Sequence, residues 1–201
     1  MGHVTRYSRP EETLENGETT INHFNEVPEN RTAVDNILRV NHGNQMRLGL
    51  MADANANIMI TVASIVFSIT IANLDNEVMR YTLLTFAVGS FFSLLFAIFA
   101  IIPNTDYPRL KGSTEIDRKS AIFNPLFFGH FAHLDIDEYK EDYAEILSTD
   151  DNIYDSMAGD IYGQGKILAL KKYKYLKWSY NCFLTGMSCA ILAFVVQHVI
   201  L

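Results

Sequence analysis

The chain has 201 residues, a formal net charge of −7 and 49% hydrophobic residues. Very apolar stretches alternate with polar, acidic ones, which is typical of a small membrane protein with a modest soluble portion. The acidic balance argues against nucleic acid as the main partner, because phosphate binding needs clustered positive charge. The two cysteines, Cys182 and Cys189, lie seven residues apart in one apolar run. We therefore expect packing thiols rather than a disulfide or a metal pair.

The chain begins with polar sequence. Residues 1–31 are predicted to be a disordered acidic segment, because glutamates are interspersed with Asn, Thr, Pro and Gly and large apolar residues are few. Apolar periodicity then predicts a cytoplasmic helix over 32–52, with start signals at Thr32 and Asp35. We expect this helix to continue into the first span, since no proline separates them.

The stretch 53–74 is predicted to be transmembrane helix 1. After Asp53 it has 21 residues without a charge, which as a helix would be roughly 30 Å long, the thickness of the hydrocarbon core. One face carries a polar stripe at helical spacing: Asp53, Asn57, Thr61, Ser64 and Ser68. The stripe either forms helix–helix contacts or lines a gated path through the membrane. Asp53 needs a partner at the membrane edge, and Arg47 is close to it in sequence.

Two further stretches are predicted to span the membrane. Residues 81–103 are uncharged and are predicted to be transmembrane helix 2. Residues 178–201 are predicted to be transmembrane helix 3, with Trp178 where interfacial aromatics belong. A strip of small residues on one face of helix 2 favours close helix approach: Gly89, Ser93, Ala97 and Ala100.

The segment 104–177 is soluble in character, and apolar periodicity predicts helices in its second half. Three glycines there indicate close packing or a hinge: Gly159, Gly163 and Gly165. The predicted fold class is an all-α membrane protein with three transmembrane helices and a helical cytoplasmic segment between the second and third.

Basic residues predict the orientation. Ten Lys and Arg residues lie in 104–177, against Arg80 alone in the loop between the first two spans. The positive-inside rule therefore places the N-terminus and 104–177 in the cytoplasm, with the C-terminus periplasmic or external. The basic run KKYKYLKW before the third span is also suited to anionic headgroups.

Motifs of enzymes are not found in the sequence. It has no Gly-rich phosphate loop, no HExxH and no G-x-S-x-G, so no catalytic residue is assigned and the chain is not predicted to be an enzyme. His130, His133 and Asp135 have generic spacing without a second ligand cluster, so neither a metal site nor a cofactor is predicted.

Two stretches carry a resemblance to a known family. LMADANANIMITVASIVFSI and IFNPLFFGHFAHLDIDEY resemble the first-span and cytoplasmic motifs of the transmembrane effectors of Pycsar antiphage systems. The second stretch is centred on NPLFFG, residues 124–129. The order of elements is also similar, and the resemblance covers roughly 36–201.

The resemblance implies a function. Such an effector is paired with a pyrimidine nucleotide cyclase and resides in the bacterial inner membrane. It responds to cyclic UMP or cyclic CMP made on infection and compromises the membrane, which causes abortive infection by cell death. A water-filled path would need a homo-oligomer in the lipid bilayer, because three helices of one chain can barely enclose one.

We expect the nucleotide to bind 104–177, together with the early helix. The predicted ligand-binding residues are those around the motif: Asn124, Phe127, Phe128 and His130. Their aromatic rings could stack on a pyrimidine, or they could instead anchor the cytoplasmic helices to one another. Two other functions remain open, a small multispan scaffold or channel-like protein without a nucleotide ligand, and a membrane enzyme such as a nucleotide hydrolase.

Overall fold

The computed structural model describes residues 12–13, 19–20, 31–103, 108, 116–118, 120 and 123–200. The elements in chain order are β1 (Glu12–Thr13), β2 (Thr19–Thr20), α1 (Arg31–Ala72), α2 (Arg80–Ile101), α3 (Phe128–Phe131), α4 (Ile136–Ile146), α5 (Asp150–Ile167) and α6 (Tyr173–Val195). A π-helical segment, Leu168–Lys172, joins α5 to α6, and a second one, Val196–Ile200, follows α6.

The all-α class is confirmed. Three helical runs are long and apolar enough to cross a membrane: Thr32–Ala72, Arg80–Ile101 and Asp150–His198. The strands β1 and β2 form an antiparallel ladder of two residues each. This ladder belongs to the predicted disordered segment 1–31, most of which lies outside the described residues, as do much of 104–122 and the last residue of the predicted third span.

The chain forms two compact units. The first unit combines residues 1–40 with 107–160, and the second combines 41–106 with 161–201. The first unit therefore holds α3 and α4, and the second holds the three apolar spans. The boundaries assigned to the six segments from sequence remain predictions.

Helix α1 continues without a break into the first apolar span, as the absence of proline predicted. It runs for 42 residues, about twice the 20 that a span requires. The run from α5 through the π-helical segment Leu168–Lys172 into α6 is likewise uninterrupted. The third span is thus the end of a longer helix.

The three spans meet in a small apolar core in the second unit. This core contains side chains from α1, α2 and α6: Ala56, Met59, Ala97, Ala100 and Leu176. Alanines dominate it because helices in lipid gain stability from close packing rather than from exclusion of water.

The small-residue strip on α2 makes the close approach that its spacing predicts. A Cβ atom placed on Gly89 would lie 2.5 Å from Cα of Gly186 on α6, so the backbones touch here. Nearby, the Ser179 hydroxyl donates a hydrogen bond to the Ser93 carbonyl at 2.8 Å. Both serines are fully buried. The contact satisfies polar groups that lipid could not.

The glycines of α5 have a different environment. A Cβ atom on Gly159 or Gly163 would meet nothing within 4 Å, so close packing does not explain these two residues. On Gly165 it would meet the Gln45 side chain at 3.5 Å, which is an ordinary contact distance.

We expect Gly89→Ala to destabilise the protein by about 1–3 kcal/mol, because the added methyl group overpacks the α2–α6 contact. Gly163→Ala is the matched control and should stabilise by up to about 1 kcal/mol, since alanine costs less entropy in a helix. Denaturant unfolding in micelles measures both changes. Equal stability of Gly89→Ala and wild type would contradict the backbone contact.

Candidate functional site

The NPLFFG motif, residues 124–129, forms a turn organised by Asn124. The Asn124 side-chain oxygen accepts a hydrogen bond from the Leu126 backbone N–H at 2.9 Å. Its side-chain nitrogen donates to Asp160 at 2.8 Å, and its backbone N–H donates to Nδ1 of His130 at 2.9 Å. Asparagine is favoured here because its short amide can bond to the backbone two residues later.

His130 is the buried centre of an aromatic cluster. It is 6% exposed, and its ring stacks with Phe123 at 5.9 Å and meets Phe127 edge to face at 5.1 Å. Because Nδ1 accepts a hydrogen bond, a neutral ring carries its proton on Nε2. Gly129 is required beside this cluster, since a Cβ atom there would lie 2.6 Å from the Phe127 ring.

The four predicted ligand residues therefore divide into two groups. Asn124, Phe127 and His130 join in one cluster through hydrogen bonds and ring contacts that anchor α3. Phe128 contacts the edge of this cluster, with its ring 5.0 Å from that of Phe127, but exposes 57% of its surface. The structure thus offers the Phe128 ring for stacking, and nucleotide binding by these residues stays a prediction.

Arg118 connects the region before the motif to α4. Its Nε donates to Asp142 at 3.1 Å, and its guanidinium also lies within 3.7 Å of Glu138. The hydrogen bond to Asp142 is the main cause that raises the pKa of Arg118 above its usual value. The N-terminus of α4 is held by a capping box between Asp135 and Glu138.

A cavity in the first unit was missed by sequence reasoning. It is an open surface cavity with a volume of about 610 Å³, and the described residues that line it lie at the start of α1: Thr32, Ala33, Asp35, Asn36 and Arg39. Asp35 accepts a hydrogen bond from the Tyr154 hydroxyl at 3.0 Å, and Arg39 donates to Asn36 at 3.1 Å. No carboxylate among the described residues forms an ion pair with Arg39. The helical spacing of these polar residues, which places them on one face of α1, was the sequence feature that could have indicated the cavity.

The partner of Asp53 in the second unit is Lys172 and not Arg47, which its closeness in sequence had made a possible partner. The Lys172 ammonium donates to both carboxylate oxygens, at 2.6 and 2.7 Å. Arg47 precedes Asp53 by six residues and so lies roughly 120° around the helix from it. Lys172 ends the π-helical segment Leu168–Lys172, a rare geometry that is frequent at functional sites.

The rest of the polar stripe lies mainly on the surface of the chain. Asn57, Thr61 and Ser68 are exposed, and Ser64 is half-buried. The Thr61 hydroxyl donates to the Asn57 carbonyl at 2.9 Å, which satisfies it within its own helix. Helix contact and path lining both stay open as roles for these side chains.

Two further polar contacts join α1 to the long C-terminal helix. His42 and Gln164 lie 3.1 Å apart through their side-chain nitrogens. The Tyr173 hydroxyl donates to the Leu48 carbonyl at 3.3 Å. Sequence reasoning missed both, because local spacing does not reveal pairs more than 100 residues apart.

These features define a class of protein, a three-span helical membrane protein with a polar turn in a separate unit. No group of three metal-ligating side chains occurs among the described residues. Residues 36–199 match the family model for the Pycsar effector protein domain. The chain therefore belongs to the Pycsar effector family and is a transmembrane effector of antiviral defence. No curated protein and no solved structure matches it.

We expect the Asp53–Lys172 pair to stabilise the fold. A double-mutant cycle with Asp53→Ala and Lys172→Ala should give a coupling of about 1–2 kcal/mol, between the values for exposed and buried pairs, because the side chains are 35% and 23% exposed. The control cycle uses Asp137 and Lys140, which are 90% and 68% exposed and should show no measurable coupling. Equal couplings in the two cycles would refute a special role for Asp53.

Proposed function

We propose that this effector senses cyclic UMP or cyclic CMP and then disrupts the integrity of the bacterial inner membrane, so that the infected cell dies. Membership of the Pycsar effector family supports an effector that is paired with a pyrimidine cyclase. The observation that carries the membrane step is the exposed polar face of α1, formed by Asn57, Thr61 and Ser68.

A polar face inside the bilayer favours contact with protein or water. The Asn57 amide is the strongest case, because an amide facing hydrocarbon loses hydrogen bonds that lipid cannot replace. Copies of the chain that bring their α1 faces together would surround a polar path, which one chain alone cannot enclose. The active state in this proposal is therefore a homo-oligomer in the inner membrane.

The first unit offers two features for a cyclic pyrimidine nucleotide. Arg39 at the cavity supplies a cation for the cyclic phosphate, a pairing that arginine makes well through its planar guanidinium. The exposed Phe128 ring supplies a flat apolar surface for the base. Because α1 carries both Arg39 and the polar face, a ligand that changes the position of α1 can bias the spanning bundle.

Dye leakage from vesicles that contain the purified full-length protein tests the membrane step. We expect leakage with one cyclic pyrimidine nucleotide and none with cyclic AMP or cyclic GMP. A variant with Thr61→Val and Ser68→Ala should leak more slowly and still bind the nucleotide. Its control is Thr85→Val, which removes a hydroxyl that donates to the Tyr81 carbonyl within α2. If no nucleotide causes dye leakage from vesicles in which the protein is inserted and folded, a membrane scaffold without a nucleotide ligand is favoured. If the nucleotide is recovered as its hydrolysis product, a nucleotide hydrolase is favoured.

Nucleotide affinity tests the two features of the first unit. Arg39→Gln should weaken binding, whereas Arg80→Gln, which removes an equal charge from the loop end of α2, should not. Phe128→Ala should lower the affinity by roughly 5–150-fold if the ring stacks on the base. Equilibrium dialysis with labelled cyclic UMP and cyclic CMP measures these changes.

The variant Phe127→Ala is compared with Phe128→Ala to separate a loss of stability from a loss of nucleotide binding. The Phe127 ring packs on buried His130, so its loss should lower the thermal stability of the first unit, while Phe128→Ala, which removes a half-exposed ring that contacts only the cluster edge, should lower it less. If both variants fold and bind nucleotide as well as wild type, stacking by this motif is excluded.

A further inference from the structure

Four lysines precede the third span, and the structure gives them different environments. Lys172 forms an ion pair with Asp53, and Lys171 also has an interaction partner. Lys174 and Lys177 are exposed, and no carboxylate lies within ion-pair distance of either among the described residues. Two uncompensated positive charges therefore lie three residues apart on one side of α6, where side chains are neighbours.

Ring contacts place these charges at the end of the apolar zone. Between the two lysines, Tyr175 packs on Phe99 at 5.8 Å. Immediately after them, Trp178 packs on Phe96 at 5.9 Å and remains 51% exposed. The partner helix α2 ends at Ile101, just beyond these aromatics. Tryptophan and lysine together at this level are typical of the boundary between hydrocarbon and headgroups.

An exposed apolar track continues from Lys177 along α6. Leu184 and Ile191 follow at steps of seven residues, which is close to two helical turns, so they share the face of Lys177. They are 53% and 57% exposed. The track extends roughly 20 Å from the lysine, a length suited to an acyl chain.

We propose that this face binds an anionic glycerophospholipid, with its headgroup phosphodiester at Lys174 and Lys177 and an acyl chain along Leu184 and Ile191. A soluble anion such as a nucleotide would use the two charges but leave the apolar track without a ligand. A phospholipid matches both, since its charge and its hydrocarbon occur in the same order as the lysines and the track. The inference goes beyond the proposed nucleotide response, because it concerns which lipids surround the effector.

The chain supplies its own reporter for this site, because Trp178 is its single tryptophan. The full-length protein is reconstituted in equimolar phosphatidylglycerol and phosphatidylcholine, with brominated acyl chains on one lipid or the other. Bromine quenches only nearby tryptophan, so the two samples compare the lipids that contact this face. We expect brominated phosphatidylglycerol to quench more strongly, with a relative affinity of up to about 25-fold, since each of the two lysines near an anionic surface contributes roughly fivefold.

The double variant Lys174→Gln and Lys177→Gln should reduce the relative affinity to near one. The matched control, Lys140→Gln and Lys166→Gln, removes the same net charge elsewhere and should keep the wild-type preference. Excess inorganic phosphate or cyclic nucleotide should not change the quenching. Equal quenching by both lipids in the wild type, an equal effect of the control variant, displacement by the soluble anions, or shielding of Trp178 from both lipids by a second copy would each overturn the proposal.

Discussion

Hydrocarbon offers no hydrogen bonds, and several hydroxyl side chains in the second unit therefore bond to backbone carbonyls of the bundle. The Ser179 hydroxyl bonds to the Ser93 carbonyl across two helices, and Thr61, Thr185 and Ser188 each bond to a carbonyl four residues earlier in their own helix. The backbones of α2 and α6 touch at Gly89 and Gly186, on the same pair of helices as the buried Ser93 and Ser179. Glycine permits the close approach, and the two serines satisfy their polar groups within it.

The first unit follows the rules of water-soluble packing instead. Its centre is Asn124, whose three hydrogen bonds link a turn, a buried histidine and a buried aspartate on α5. Such a network is rigid because each member fixes the orientation of the next. The polar atoms of Asn124 and His130 are largely used within this network, so they support the turn. In the proposed function, the exposed Phe128 ring is the group of this motif that contacts the nucleotide base.

The sequence correctly predicted features that depend on residue spacing within a single helix. Span length, the helix continuity of α1 and the small-residue strip at Gly89 all depend on spacing within one segment, and all are present in the structure. The sequence did not predict contacts between residues that lie on different helices. Lys172 is 119 residues from Asp53, and the choice between it and Arg47 depends on which helices meet and at what rotation.

The position of the Asp53–Lys172 pair relates the stability of the second unit to its proposed activity. Asp53 begins the stripe that continues through Asn57 to Ser68, so one end of the stripe is bonded within the chain while most of the remainder is exposed. A bond at one end limits rotation of α1 about its axis, and rotation would decide whether the exposed amide faces lipid or another copy. Because a charge left alone at the membrane edge is costly, the ion pair favours a single rotation in the resting protein. In the proposed mechanism, a ligand that stabilises another rotation must compensate for that loss, so the ion pair would raise the threshold for activation.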